Sequence, residues 1–206
     1  MKKEPTFPLV SLSRLRMGTD GAGVTTLVIG MGCPLRCRYC INDFTWEPDC
    51  SATAVTVKKM YDLVKKDDLY FQATGGGITF GGGEPLLHAA FIRDFSKVCR
   101  NKWNITVETS LNVPEQNLQI AIECVDDFIV DIKDMNPQIY QRYTGGNNAR
   151  VIGGVKLLLQ NLGPERVLIR VPHIPEINTP ENVTRSIAQL RELGVERIDE
   201  FSYVIP

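Results

Sequence analysis

Short β-branched or apolar segments alternate with amphipathic ones along this chain, and that alternation constrains its fold more than any other feature. Residues 24–29, 77–80, 104–108, 128–132, 166–171 and 198–205 read as six strands. The fourth is almost continuously apolar, as parallel strands covered on both faces are. Between them lie five helical stripes. Residues 53–66 carry Val57, Met60, Tyr61 and Val64 at i, i+3, i+4 and i+7. Residues 88–101 align Phe91, Phe95, Val98 and Cys99, and residues 114–124 align Leu118, Ala121 and Ile122. Residues 149–161 align Val151, Val155, Leu158 and Leu159, and stop at Gly163-Pro164, a glycine cap followed by a proline that cannot continue a helix. Thr179-Pro180 opens the last helix, with a cap and a proline in its first turn. Strands and helices in strict alternation predict parallel βαβ units, curled into a barrel-like sheet or laid out as an open doubly wound one. Residues 1–20 and 42–52 read as loose.

With 206 residues the chain predicts one domain over residues 1–206, the first twenty being an N-terminal extension. At 43% apolar and 23% charged residues it has the composition of an ordinary globular protein. The 23 basic and 24 acidic residues leave no bias toward nucleic acid. No apolar run approaches the roughly 18 residues of a membrane span. The start, Met1-Lys2-Lys3-Glu4, is not followed by the apolar stretch of a secretory signal. The expectation is a cytoplasmic enzyme or binding domain, with neither membrane nor nucleic-acid partner.

Three of the six cysteines, Cys33, Cys37 and Cys40, fall within eight residues on the loop after the first strand. In such a chain, clustered cysteines point to metal or catalysis before disulfides. A disulfide would use only two of the three. The glycine-rich Gly81-Gly82-Gly83-Glu84-Pro85, Thr109-Ser110, Lys133 and His173 also follow strands. In parallel α/β folds the strand C-termini share one face, where ligands bind, so these elements are expected at one site. Asp131 and Lys133, two apart on a strand, point to the same side.

On these residues the chain resembles the radical S-adenosylmethionine (SAM) enzymes. Cys33-x3-Cys37-x2-Cys40 after the first strand matches their signature. Asp20-Gly21-Ala22-Gly23, the glycine-rich stretch at 75–87, Glu108-Thr109-Ser110, Asp131-Ile132-Lys133, Tyr143-Thr144-Gly145 and Arg170-Val171-Pro172-His173 narrow the likeness. They resemble the glycyl-radical-enzyme activases, the group of the pyruvate formate-lyase activating enzymes. The likeness implies a partial (βα)6 TIM-like barrel of parallel strands. It also implies an oxidoreductase with a [4Fe–4S] cluster on Cys33, Cys37 and Cys40, whose fourth iron is left for SAM.

What the resemblance implies for other residues is equally specific. Tyr39 is expected beside the adenine. Gly82, Gly83 and Glu84 are expected near the methionine amino group. Asp131 and Lys133 are expected at the ribose and carboxylate end, and Arg170 beside the cofactor. Glu108 and Thr109 match an acid and a threonine near the methionine carboxylate, where some relatives bind a monovalent cation. This chain has Glu108 where most have Asp, and Ile41 where a histidine is usual. The expected partners are a glycyl radical enzyme and a low-potential electron donor. Two other readings stand beside this one: a radical SAM enzyme acting on another peptide or on a ribonucleotide reductase, and a non-catalytic metal or electron-transfer protein. Cys99 and Cys124 read as structural; Cys50 is a possible fourth metal ligand.

Overall fold

The computed structural model describes residues 4–99 and 101–203. Six parallel strands form its frame: β2 (Val24–Gly30), β4 (Gly77–Gly82), β5 (Asn104–Thr109), β6 (Asp127–Asp131), β7 (Val167–His173) and β8 (Arg197–Ser202). Each lies beside its predecessor in sequence. Without a reversal of strand order there is no doubly wound switch point, and right-handed crossovers keep the helices on one face. The result is the expected partial (βα)6 barrel. Positions 204 and 205 of the expected last strand, position 100 of the second helix and Met1 to Lys3 lie outside the described residues.

The N-terminal stretch corrects the expectation of a loose extension. Phe7–Met17 forms β1, antiparallel to β2, and Thr53–Val55 forms β3, antiparallel to β1. The eight-stranded sheet therefore runs β3-β1-β2-β4-β5-β6-β7-β8. Register shifts between Leu9 and Ser11 and between Ser13 and Arg16 break the period-two pattern of β1, which hides it in the sequence. The first expected helix loses its opening residues to β3. It begins at Val57 as α1 (Val57–Val64), where the Thr56 hydroxyl accepts from Lys59 N–H.

Two further helices add to the expected set. In α2 (Asp68–Thr74) only Phe71 is buried, so it shows no apolar stripe. In α5 (Pro137–Thr144) the Asn136 side chain caps the start, Pro137 occupies the first turn and Gly145 ends it in a left-handed conformation. The remaining helices are α3 (Ala89–Cys99), α4 (Glu115–Ile122), α6 (Ala149–Leu162) and α7 (Pro180–Glu192). His88 ends a 3-10 turn before α3. The main core lies between helices and sheet, where Phe80 meets Phe7 and Phe95 edge-on, with ring centroids 5.5 Å apart in both pairs. No helix among the described residues is long and apolar enough to cross a membrane.

Candidate active site

The cysteine loop leaves the C-terminal end of β2 and is held by backbone rather than by disulfides. Arg36 N–H donates to the Thr144 carbonyl at 2.9 Å and Arg38 N–H to the Tyr143 carbonyl at 3.0 Å, which ties the loop to the end of α5. Gly32 N–H donates to the Thr45 carbonyl at 2.8 Å. Leu35 is the loop's buried apolar anchor. The next loop packs against this one: Gly83 N–H reaches the Gly30 carbonyl at 3.1 Å and Glu84 N–H the Gly32 carbonyl at 2.7 Å. A Cβ on Gly83 would lie 2.2 Å from the Gly32 oxygen, so only glycine permits this approach.

Together these loops and strand ends enclose a cavity of about 200 Å³. Cys33, Cys37 and Cys40 line one side, all of them free thiols. Gly82, Gly83, Glu108, Thr109, Asp131, Lys133 and Arg170 line the rest, so the structure brings ten of the expected site residues to one space. Clefts of about 520 and 550 Å³ exist elsewhere, one beside Trp103 and Arg166 and one between α4 and α6. Neither contains any of those residues.

Two expected residues are not in the lining. Glu84 is fully buried behind the cavity. Its carboxylate accepts from the Thr109 hydroxyl (2.6 Å), Ser110 N–H (2.9 Å), the Ser110 hydroxyl (2.7 Å) and Leu86 N–H (3.2 Å). Burial pushes its carboxyl above the ordinary value and those donors pull against the shift. Its carboxylate thus braces the end of β5 and the start of the turn at Leu86. Tyr39 turns to a small apolar cluster with Tyr143, Ile174 and Ile177, and its hydroxyl donates to Glu176 at 3.2 Å. The aromatic residues in the cavity wall are instead Phe201 and Tyr203, at the end of β8. Neither stands among the residues that the resemblance singles out. His173 ends β7 outside the lining, its carbonyl accepting from Tyr203 N–H.

Two ion pairs order the polar wall. Arg170 donates to Glu108 at 2.6 Å, with Asp199 3.6 Å away and the Thr19 carbonyl also bonded. Burial and the charge of Asp131 raise the Glu108 carboxyl, and Arg170 opposes them. Lys133 lies beyond the last residue of β6, yet its ammonium reaches Asp131 at 2.8 Å and the Tyr203 hydroxyl at 3.0 Å. Burial works against that ammonium, and Asp131, Tyr203 and Cys37 more than offset it, so it stays charged. The second Asp131 oxygen is buried without a partner among the described residues. A satisfied interior seldom leaves such an acceptor, so it fits a bound donor.

The three thiols fit a cluster. Burial pushes Cys33 up to about 12 and Cys37 up to about 11, leaving both neutral at ordinary pH. Bound iron would supply the positive charge that makes them thiolates. Among the described residues no three His, Cys, Asp or Glu side chains converge on a single-ion position, so the thiols share a cavity rather than a point. Cys50 is not in the lining. Cys99 is buried on α3, and the Cys124 thiol donates to the Ile120 carbonyl at 3.3 Å. Both serve the packing.

The profile of the Radical SAM superfamily matches residues 27–182. The pyruvate formate-lyase-activating enzyme of Listeria monocytogenes is 32% identical, over 91% of this chain and 78% of its own. The (2S)-3-sulfopropanediol dehydratase activating enzyme of Klebsiella oxytoca is 26% identical, over 94% and 80%. Among solved structures, Streptococcus suis SuiB bound to S-adenosylmethionine shares the fold, with a TM-score of 0.65 and 15% identity. That match spans 84% of this chain but 39% of SuiB. The chain is an enzyme of the Radical SAM superfamily, with activating enzymes of the glycyl-radical type among its relatives.

Proposed function

We propose that this protein activates a partner glycyl radical enzyme by abstracting a hydrogen atom from one of its glycines. The observation that carries the reading is the meeting of three free cysteine thiols and a polar wall in one cavity. Its relatives, named as activating enzymes, supply the class of substrate. Cys33, Cys37 and Cys40 would hold a [4Fe–4S] cluster. Asp131, Lys133, Arg170 and the backbone of Gly82 and Gly83 would hold SAM. Such a cluster, once reduced, would supply the electron for reductive cleavage of the sulfonium C–S bond of SAM.

The chain's own residues bind, orient and shield. The unpartnered Asp131 oxygen accepts from a hydroxyl or ammonium of SAM, and Lys133 and Arg170 present positive charge. Thr109 and Glu108 border the same space. Glu108 already pairs with Arg170, so a monovalent cation there would compete with a guanidinium. The electron would come from a separate low-potential donor.

The test is anaerobic reconstitution with iron and sulfide, then reductant and SAM, with 5′-deoxyadenosine as the readout. Wild type should form it and Cys99→Ala should retain it. Cys37→Ala should lose both the cluster absorbance and the product. Equal loss in both variants would remove Cys37 from the ligand set. Cleavage without transfer of the radical to any glycyl radical enzyme would move the reading to another substrate.

A further inference from the structure

The Lys133 ammonium has three N–H bonds to place. One goes to Asp131 and one to the Tyr203 hydroxyl, 70 residues away in sequence. No other side chain or carbonyl among the described residues takes the third, which is left for the occupant of the cavity that Lys133 lines. Tyr203 is itself held by groups other than Lys133. Its backbone N–H donates to the His173 carbonyl at 3.0 Å. Its ring stands 5.5 Å from that of Phe201 and 6.4 Å from that of Tyr143. Tyr143 is the residue whose carbonyl receives Arg38 N–H, so this aromatic wall is continuous with the cysteine loop. The ammonium also sits 5.6 Å from the centre of the Tyr203 ring.

A lysine is a point charge on a flexible four-carbon stem, and one hydrogen bond to Asp131 would leave it free to swing. We propose that Tyr203 is a positioning residue. Its hydroxyl and ring fix the Lys133 ammonium so that the remaining N–H meets an acceptor on bound SAM. This rests on the reading that the cavity takes SAM. Tyr203 thus acts on the ligand through Lys133 and adds an aromatic wall to the cavity.

The experiment is a double-mutant cycle on the reconstituted protein. Tyr203→Phe, Lys133→Met and the double variant are compared with wild type. SAM affinity is read by calorimetric titration without reductant, cluster content by absorbance and packing by the melting transition. Tyr203→Phe keeps the ring, so cluster and melting transition should stay as in wild type. SAM affinity should fall about tenfold, the size of one hydrogen bond to a charged group. In the Lys133→Met background the same change should have little further effect, because a residue acting through Lys133 has nothing left to act on. Full affinity in Tyr203→Phe would overturn the proposal. So would an equal loss with and without Lys133, which would mean that Tyr203 acts on its own. Wild type failing to bind SAM at all would overturn the proposed function itself, a result distinct from either.

Discussion

Glu84 illustrates how much one buried carboxylate can organise. It accepts four hydrogen bonds from Thr109, Ser110 and Leu86, and these fix the end of β5 that borders the cavity. Glu84→Gln would turn an NH2 group toward those donors. It should cost about 2–3 kcal/mol, read as a lower denaturation midpoint, because the donors it strands are buried. At Lys133 the expected loss is in binding: Lys133→Ala should weaken SAM affinity with the cluster still assembled, measured by titration and absorbance. Most of the polar site was legible in the sequence: Glu108, Thr109 and Asp131 close their strands, Lys133 follows one, and the resemblance singled out Arg170 within β7. Glu84 was legible only as part of a glycine loop. Which side of that loop its carboxylate faces depends on β5, some twenty residues later.

At the scale of elements, the cysteine loop and the glycine loop form one unit. Gly83→Ala would push a Cβ into the Gly32 carbonyl and displace both loops. It should lower iron bound per chain, measured after reconstitution. β1 shows a different kind of support. Arg14 donates to the buried Asp67 at 2.9 and 3.1 Å, and the Thr26 hydroxyl bonds the same carboxylate at 2.7 Å. Burial alone would raise the Asp67 carboxyl, but the Arg14 and Thr26 bonds and the Arg14 charge hold it below its ordinary value of 3.8. A lowered folded-state value means that this contribution is complete above about pH 4 and is lost as pH falls through the lower value. Asp67→Asn should therefore narrow the gap in acid stability: wild type and variant should differ at pH 6 and converge near pH 2 in a denaturation series. The helices α1, α3, α4, α6 and α7 were legible because each carries an apolar stripe. α2 was not, because Phe71 is its only buried residue. α5 had readable signals at both ends, Asn136-Pro137 and Gly145, without a long stripe between them.

For the whole molecule, strand order decides both stability and site. The central strands β4, β5 and β6 have parallel partners on both sides, whereas β3 and β8 are edges. Amide exchange should be slowest in residues 77–82, 104–109 and 127–131 and fastest in β3 and β8, measured by native-state hydrogen exchange. The sequence by itself determined the βα alternation, the three-cysteine loop and the family, since these rest on local patterns and short spacings. Only the tertiary structure decided that β1 and β3 extend the sheet, because bulges and half-exposed faces erase their period. Only it separated Glu84 and Tyr39 from the cavity and put Phe201 and Tyr203 into its wall. Facing is a property of the curled sheet: a side chain 70 residues away can complete a lysine's hydrogen bonds, and no local pattern records that.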